Sequence, residues 1–546
     1  MSDEADSTPP ETRPSRAERR RTRRHERAAE AQRRSVRRML PNLLLASGLL
    51  LLSLFILSER PVPLPTSLRA EIEDQVNARF DGDDLQIARA SVSAGPSGGI
   101  QVLLGDVGFG APSAGITAAF NAVRATLLPG ALARGRVRAR ALTLDGAQVI
   151  LRRGTDGRFA FADGNAGLSL PDLLGGLDRI LSQSAFSTIE EVTADGVVLA
   201  VEDARTGRIW QATNARLLIR RIDTGLTMSL TSDVFNGTDD VAEVQLSFSY
   251  RSETGDSSVG VRLDGMPAAD IAQQSPILAW LGVLDAPISG AVRAEYDGAT
   301  GLTALAGTLD IAAGALSPVQ GIDAQPFDAA RAYFTFDPDR QRLNFSDLSL
   351  QSRALTLEGT GHADLTEFGD GWPGAFVGHF DVQSVRFNDP ALFENPVELS
   401  GLTGDMRLRL DPFTVDLAQV TVPNGSHPVR ARAHIEARQD GWSLALDAET
   451  EQIAPATVLE FWPLIEAAKT RSWLGENVQA GRLTEVTANL RKRSGQPARF
   501  ALNFDFDGGR VRFLPEMPVI ENGAGAWGDL RQPLHAGSGQ GLNRRR

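Results

Sequence analysis

The sequence predicts a mainly β protein: a single N-terminal transmembrane helix followed by a long antiparallel β-meander with a few short helices. Three observations predict it. Residues 39–58, MLPNLLLASGLLLLSLFILS, carry no charge. From Leu85 onward, apolar residues recur at alternate positions. Asp-Gly pairs punctuate that run at Asp145-Gly146, Asp156-Gly157, Asp195-Gly196, Asp264-Gly265, Asp297-Gly298, Asp440-Gly441 and Asp507-Gly508.

Residues 1–38 hold twelve Arg, no Lys and seven acidic groups, a net of +5. So charged a segment, with almost no large apolar groups, is expected to be disordered. The next twenty residues, Met39–Ser58, suffice to cross a bilayer at helical rise, about 30 Å. A cleaved signal peptide fits less well, because Glu59, Arg60 and Pro61 follow where a small-residue cleavage site would stand. Arginines beside the helix place residues 1–38 in the cytoplasm and residues 59–546 across the membrane. The Pro-rich connector Pro61–Pro65 is expected to be extended. Over Thr66–Phe80, Leu68, Ile72, Val76 and Phe80 recur every fourth residue, which predicts a short amphipathic helix.

Beyond Leu85 the period drops to two. Val244, Leu246, Phe248 and Tyr250 alternate with Gln245, Ser247 and Ser249. Met406, Leu408 and Leu410 do so with Arg407 and Arg409; Trp442, Leu444 and Leu446 with Ser443 and Ala445; Leu502, Phe504 and Phe506 with Asn503 and Asp505. Each reads as a strand with one apolar and one wet face. The Asp-Gly pairs supply the positive φ of hairpin turns. Helical spacing over Pro171–Gln183, Ala268–Leu284 and Ala454–Leu474 predicts three interruptions, expected to cap the sheet's open ends. Pro515–Pro518 reads as a connector with no strand after it. The tail 528–546 is expected to be disordered.

Composition excludes several classes. The formal charge is −12, and the body beyond the basic tail is more acidic still, so no nucleic-acid partner is implied. There is no cysteine, hence no disulfide and no thiolate chemistry. His25, His362, His379, His427, His434 and His535 form no paired zinc motif. No G-x-S-x-G elbow occurs. Gly523–Gly528 spells G-x-G-x-x-G without the following helix that a nucleotide site needs. Asp505 and Asp507 share a wet strand face, which is ordinary for a solvated surface. No catalytic residue, cofactor or metal site is expected, and the chain is read as a non-enzyme.

A basic tail, one membrane helix, a short amphipathic helix and a long meander together resemble the AsmA-like superfamily. Leu68–Val107 and Val137–Phe161 look like its N-terminal module. Leu281–Tyr296, Phe461-Trp462-Pro463, Arg471-Ser472-Trp473-Leu474, Asn477–Gly481 and Gly509–Pro518 resemble its large YhdP-like branch. Trp462, Pro463, Trp473, Leu474 and Gly481 are the motif positions. The resemblance covers about residues 39–525 and departs after Trp527, where family members continue with further strands. On it rest the expected boundaries: a 59–165 AsmA-like module, a 166–527 YhdP-like region and an aberrant tail.

The resemblance implies a sheet curled into an elongated groove that carries lipid across the periplasm. The one-faced alternation suits this, because an apolar sheet face must be covered by another sheet, by helices or by lipid. An ordinary sandwich fits the alternation equally. Candidate groove residues are Val244, Leu246, Phe248, Leu408, Leu410, Leu444, Leu446 and Phe504. The implied partners are phospholipid and the inner membrane, with outer-membrane or other envelope proteins as further candidates. The rival reading is an assembly factor that binds protein strands at an open sheet edge.

Overall fold

The computed structural model describes residues 48, 61–77, 84–94, 99–111, 116–132, 138–155, 158–161, 178, 181–182, 187–204, 207–235, 241–390, 393–464, 468–512 and 517–527. One sheet of 25 strands begins with Val62–Pro63 and ends with Ile520–Trp527. A separate three-stranded sheet joins Leu284–Asp285, Gly314–Leu316 and Gln325–Phe327. Among the described residues no helix is long and apolar enough to cross a membrane. The expected span 39–58 lies outside them except for Gly48, and so do the tails 1–38 and 528–546.

From Glu191–Asp203 to Ile520–Trp527, each strand of the large sheet pairs antiparallel with the next. The sheet nevertheless departs from a pure meander. Ala139–Asp145 and Gln148–Arg153 both run parallel to Glu191–Asp203, joining the two expected regions 59–165 and 166–527 in one sheet.

Four of the Asp-Gly pairs therefore do not turn the chain. Gly146 and Gly196 have φ of 69° and 64°, and the Gly146 amide donates to the Asp195 carbonyl at 3.0 Å. They are irregularities within a strand pairing. Asp264-Gly265 and Asp507-Gly508 fall at register shifts inside Ser257–Pro267 and Arg499–Val511. Asp297 and Asp440 do stand at hairpins, and Asp297 Oδ1 accepts from the Ala299 and Thr300 amides, both at 2.9 Å. Glycine at positive φ serves a bulge as well as a turn, so the dipeptide alone does not distinguish them.

The second and third helical interruptions form, and they lie on the face of the sheet. Ala268–Ala272 with the 3-10 helix Pro276–Val283, and later Pro455–Phe461 with Ala468–Asn477, pack into cores on the sheet. Most of Pro171–Gln183 lies outside the described residues. The expectation of no strand after Pro515–Pro518 is overturned: Ile520–Trp527 pairs with Arg499–Val511. Its Gly-Ala repeat lacks the large apolar residues that make a strand legible.

At the first edge, the helix Thr66–Asn77 supplies partners to the strand Asp84–Ala94. The Ile87 amide donates to Glu73 Oε1 at 2.7 Å, and Arg69 Nη1 donates to the Ala88 carbonyl at 2.9 Å. Side chains thus blunt an edge that would otherwise accept a foreign strand.

Candidate functional site: a continuous apolar face

Residues paired across strands share one side of a sheet. Followed from strand to strand, one row reads Val62, Val92, Val102, Ala125, Leu142, Val192, Ile219, Met228, Phe248, Val259 and Ala294. It continues through Leu305, Phe336, Leu343, Ala363, Gly378, Met406, Leu417, Ala433, Leu446, Leu490 and Phe500. No member is polar. At about 4.8 Å per strand the row runs roughly 100 Å along the sheet.

The opposite face is ionic. Cross-strand neighbours pair there as Arg216–Asp195 at 3.0 Å, Arg331–Asp310 at 3.1 Å, His379–Asp405 at 2.8 Å and Arg432–Asp447 at 3.1 Å. The hydrogen bond from the Arg491 guanidinium, seconded by Arg432, holds the Asp447 carboxyl below the usual carboxylate range. Such exposed pairs add little stability each. They keep this side wet and leave the other as the side that needs cover.

Cover is uneven. In the centre, the segment 268–283 lies on the apolar face. Leu281 is fully buried there with Ile288, Leu309 and Leu343, and the Trp280 ring meets Phe345 edge-on at 6.0 Å. Arg208 donates to the buried Asp270 at 2.5 Å, and Arg153 donates to Gln274, which tie the segment to the sheet. Beside it is a cavity of about 510 Å³ whose lining includes Thr155, Gln273, Asp370 and Trp372. Thr155 follows Gln148–Arg153, and Asp370 follows Leu355–Thr366, ten strand steps along the sheet. On a flat sheet those steps span about 48 Å. Lining one cavity, they require the sheet to bend around the segment.

At the far end, Trp462 (2% exposed) and Leu474 (4%) pack with Leu483, Leu502 and Phe504, and the Trp462 and Phe500 ring centroids are 5.5 Å apart. Gly481 has φ of 138°, and a Cβ there would stand 3.0 Å from Gly509 Cα, so the close strand approach needs glycine. Trp462→Ala should cost about 3–5 kcal/mol of local stability. Chemical denaturation followed by fluorescence, with the other tryptophans kept, measures it.

Between these covered zones, Met406, Leu417, Ile435, Leu444 and Leu446 belong to neither core and remain partly exposed. One strap reaches this stretch. Trp442 Nε1 donates to the Asp323 carbonyl at 2.7 Å, and the Phe413 ring meets Trp442 edge-on at 5.8 Å. Asp323 lies in the connection after Gly301–Ile311, eight strand steps from the strand of Trp442.

All eight candidates lie on the apolar face. Val244, Leu408 and Leu410 pack against the central core, and Phe248 is 8% exposed. Leu246, Leu444 and Leu446 are partly exposed. Phe504 is buried in one core with Trp462 and Leu474. Among the motif positions, Trp462 and Leu474 are buried, while Pro463 and Trp473 are partly so. The covering segment and the strap are not legible in strand periodicity; Trp280 and Trp442, large aromatics beside turns, were the available signal.

Fold and face together define a mainly β protein built on one large sheet with an apolar and an ionic side. Comparison with protein-family models, with characterised proteins and with solved structures gives no match.

Proposed function

We propose that this chain is a non-enzymatic phospholipid carrier, anchored in the inner membrane by residues 39–58, with its body in the periplasm. In this reading the sheet curls into an elongated groove, and acyl chains ride on its inner face toward the outer membrane. The observation that carries the reading is the unbroken apolar row from Val62 to Phe500. Each methylene buried against such a surface contributes about 0.8 kcal/mol, so a chain can be held and slid without specific contacts. The partly exposed stretch at Leu417, Leu444 and Leu446 is the natural place for cargo. The charge pattern around residues 39–58 and the resemblance to the YhdP-like branch of the AsmA-like superfamily support the location.

A second reading, a factor binding protein strands, draws on Ile520–Trp527, which pairs on one side only among the described residues. Transfer of a fluorescent phospholipid between donor and acceptor vesicles distinguishes the two. The carrier reading expects the purified full chain to accelerate transfer at least about tenfold over vesicles alone. A rate equal to the protein-free rate would contradict it.

A further inference from the structure

Two residues along from the central row, a different row runs near the turns that join these strands. Through paired positions it reads Arg221, Leu226, Tyr250, Ser257, Tyr296 and Leu302. Tyr250 lies on the same strand and face as Phe248, Leu246 and Val244, which follow at steps of about 6.8 Å. Two of the chain's three tyrosines stand on this row, flanking Ser257. Three hydroxyl-bearing residues thus occupy successive strands, whose backbones run about 4.8 Å apart, on a face otherwise given to hydrocarbon.

The hydroxyls are not ordinary surface groups. Ser257 is 6% exposed, and its Oγ is buried with no hydrogen-bond partner. A buried hydroxyl without a partner is costly, so an acceptor brought beside it is stabilised there. Burial raises the Tyr296 phenol pKa, which keeps it a neutral donor. At the end of the row, Arg221 Nη1 donates to the Ser187 carbonyl at 2.8 Å, while Nη2 is buried without a partner. Arg221 is the one cation among these six; Glu190, opposite it at the row's next position, pairs with Arg140 at 2.9 Å.

We propose that Tyr250, Ser257 and Tyr296, with Arg221 as the nearby positive charge, form a recognition site for the phosphate oxygens of an amphiphile's headgroup. The hydroxyls donate to the anionic oxygens, Arg221 adds its charge from two strands beyond Tyr250, and the acyl chains leave the site past the partly exposed Leu246. This rests on the reading of the apolar face as an acyl-chain surface. It adds polarity to that reading: the headgroup sits at one rim, and the lipid is selected by its phosphate as well as by its tails.

The test uses the full-length chain in amphipol, incubated with vesicles holding equal amounts of phosphatidylglycerol and diacylglycerol with identical chains. Retained lipid is quantified by mass spectrometry. The wild-type protein should retain the phosphate-bearing lipid in roughly tenfold excess, as expected for several donors to one anion. Tyr250→Phe/Ser257→Ala/Tyr296→Phe should bring the ratio down to about two with total lipid unchanged. Arg221→Gln, and Tyr296→Phe alone should the triple variant fold poorly, should each lower it part of the way. An unchanged ratio in correctly folded variants overturns the site, as does an equal loss of both lipids, which would mean a structural role. Displacement of the lipid by inorganic phosphate alone would make the row a plain anion site and overturn it too. A wild-type protein that retains neither lipid contradicts the carrier reading itself, a failure distinct from loss of selectivity.

Discussion

Leu343→Asp should unravel the centre of the sheet. Leu343 has no exposed surface, and it sits on the apolar row between Phe336 and Ala363, in one core with Leu281 and Phe345. A carboxylate there stands in one core with Leu281, Phe336 and Phe345, so it must stay poorly solvated, take up a proton or open the packing. Each route costs several kcal/mol, a large share of the about 5–15 kcal/mol that stabilises a domain. The expected result is rapid proteolytic cleavage within 268–283 at a protease concentration that leaves the wild-type chain intact. Leu343→Met, which keeps volume and polarity, should resist as the wild type does. Equal resistance of Leu343→Asp would mean that segment 268–283 is not held by this core.

The same change three strands from the sheet's last should act on cargo instead. Leu446 lies between Ala433 and Leu490 on the row but belongs to neither covered core and is partly exposed. Aspartate at that position can remain hydrated, so the fold should hold. A hydrocarbon chain passing over it would have to strip that hydration, at a cost of several kcal/mol. Each 1.4 kcal/mol is about a factor of ten in affinity. Phospholipid co-purifying with Leu446→Asp should therefore fall at least about tenfold, with thermal unfolding close to that of the wild type. Lipid retained at the wild-type level would remove this strand from the proposed groove.

The contrast between these positions could not have been read from the chain. Leu343 and Leu446 have the same period-two setting in sequence, each alternating with polar or small residues. Their difference lies in what comes to rest on the apolar face. The second half of segment 268–283, PILAWLGV, is apolar throughout and so carries no one-sided pattern that assigns it a partner. Only the tertiary structure places Leu281 against Ile288 and Leu309. The Asp-Gly pairs at Gly146 and Gly196 mark a positive φ without turning the chain back on itself. Ile520–Trp527 is invisible for the opposite reason: Gly523, Ala524, Gly525 and Ala526 bury too little to alternate. Strand periodicity does mark one side of the site, because a sheet face exposed to water on one side imposes period two. It does not mark the row of Tyr250, Ser257 and Tyr296, whose members lie 7 and 39 residues apart and meet only through register.

Under the proposed function the apolar face holds acyl chains while the ionic face meets water. Neighbouring positions 446 and 447 of one strand point to opposite faces, so a photoreactive residue at each, in cells, tests it most directly. The account predicts phospholipid adducts from position 446 and none above background from position 447. Polypeptide adducts without lipid at position 446, or equal lipid adducts at both positions, would contradict it.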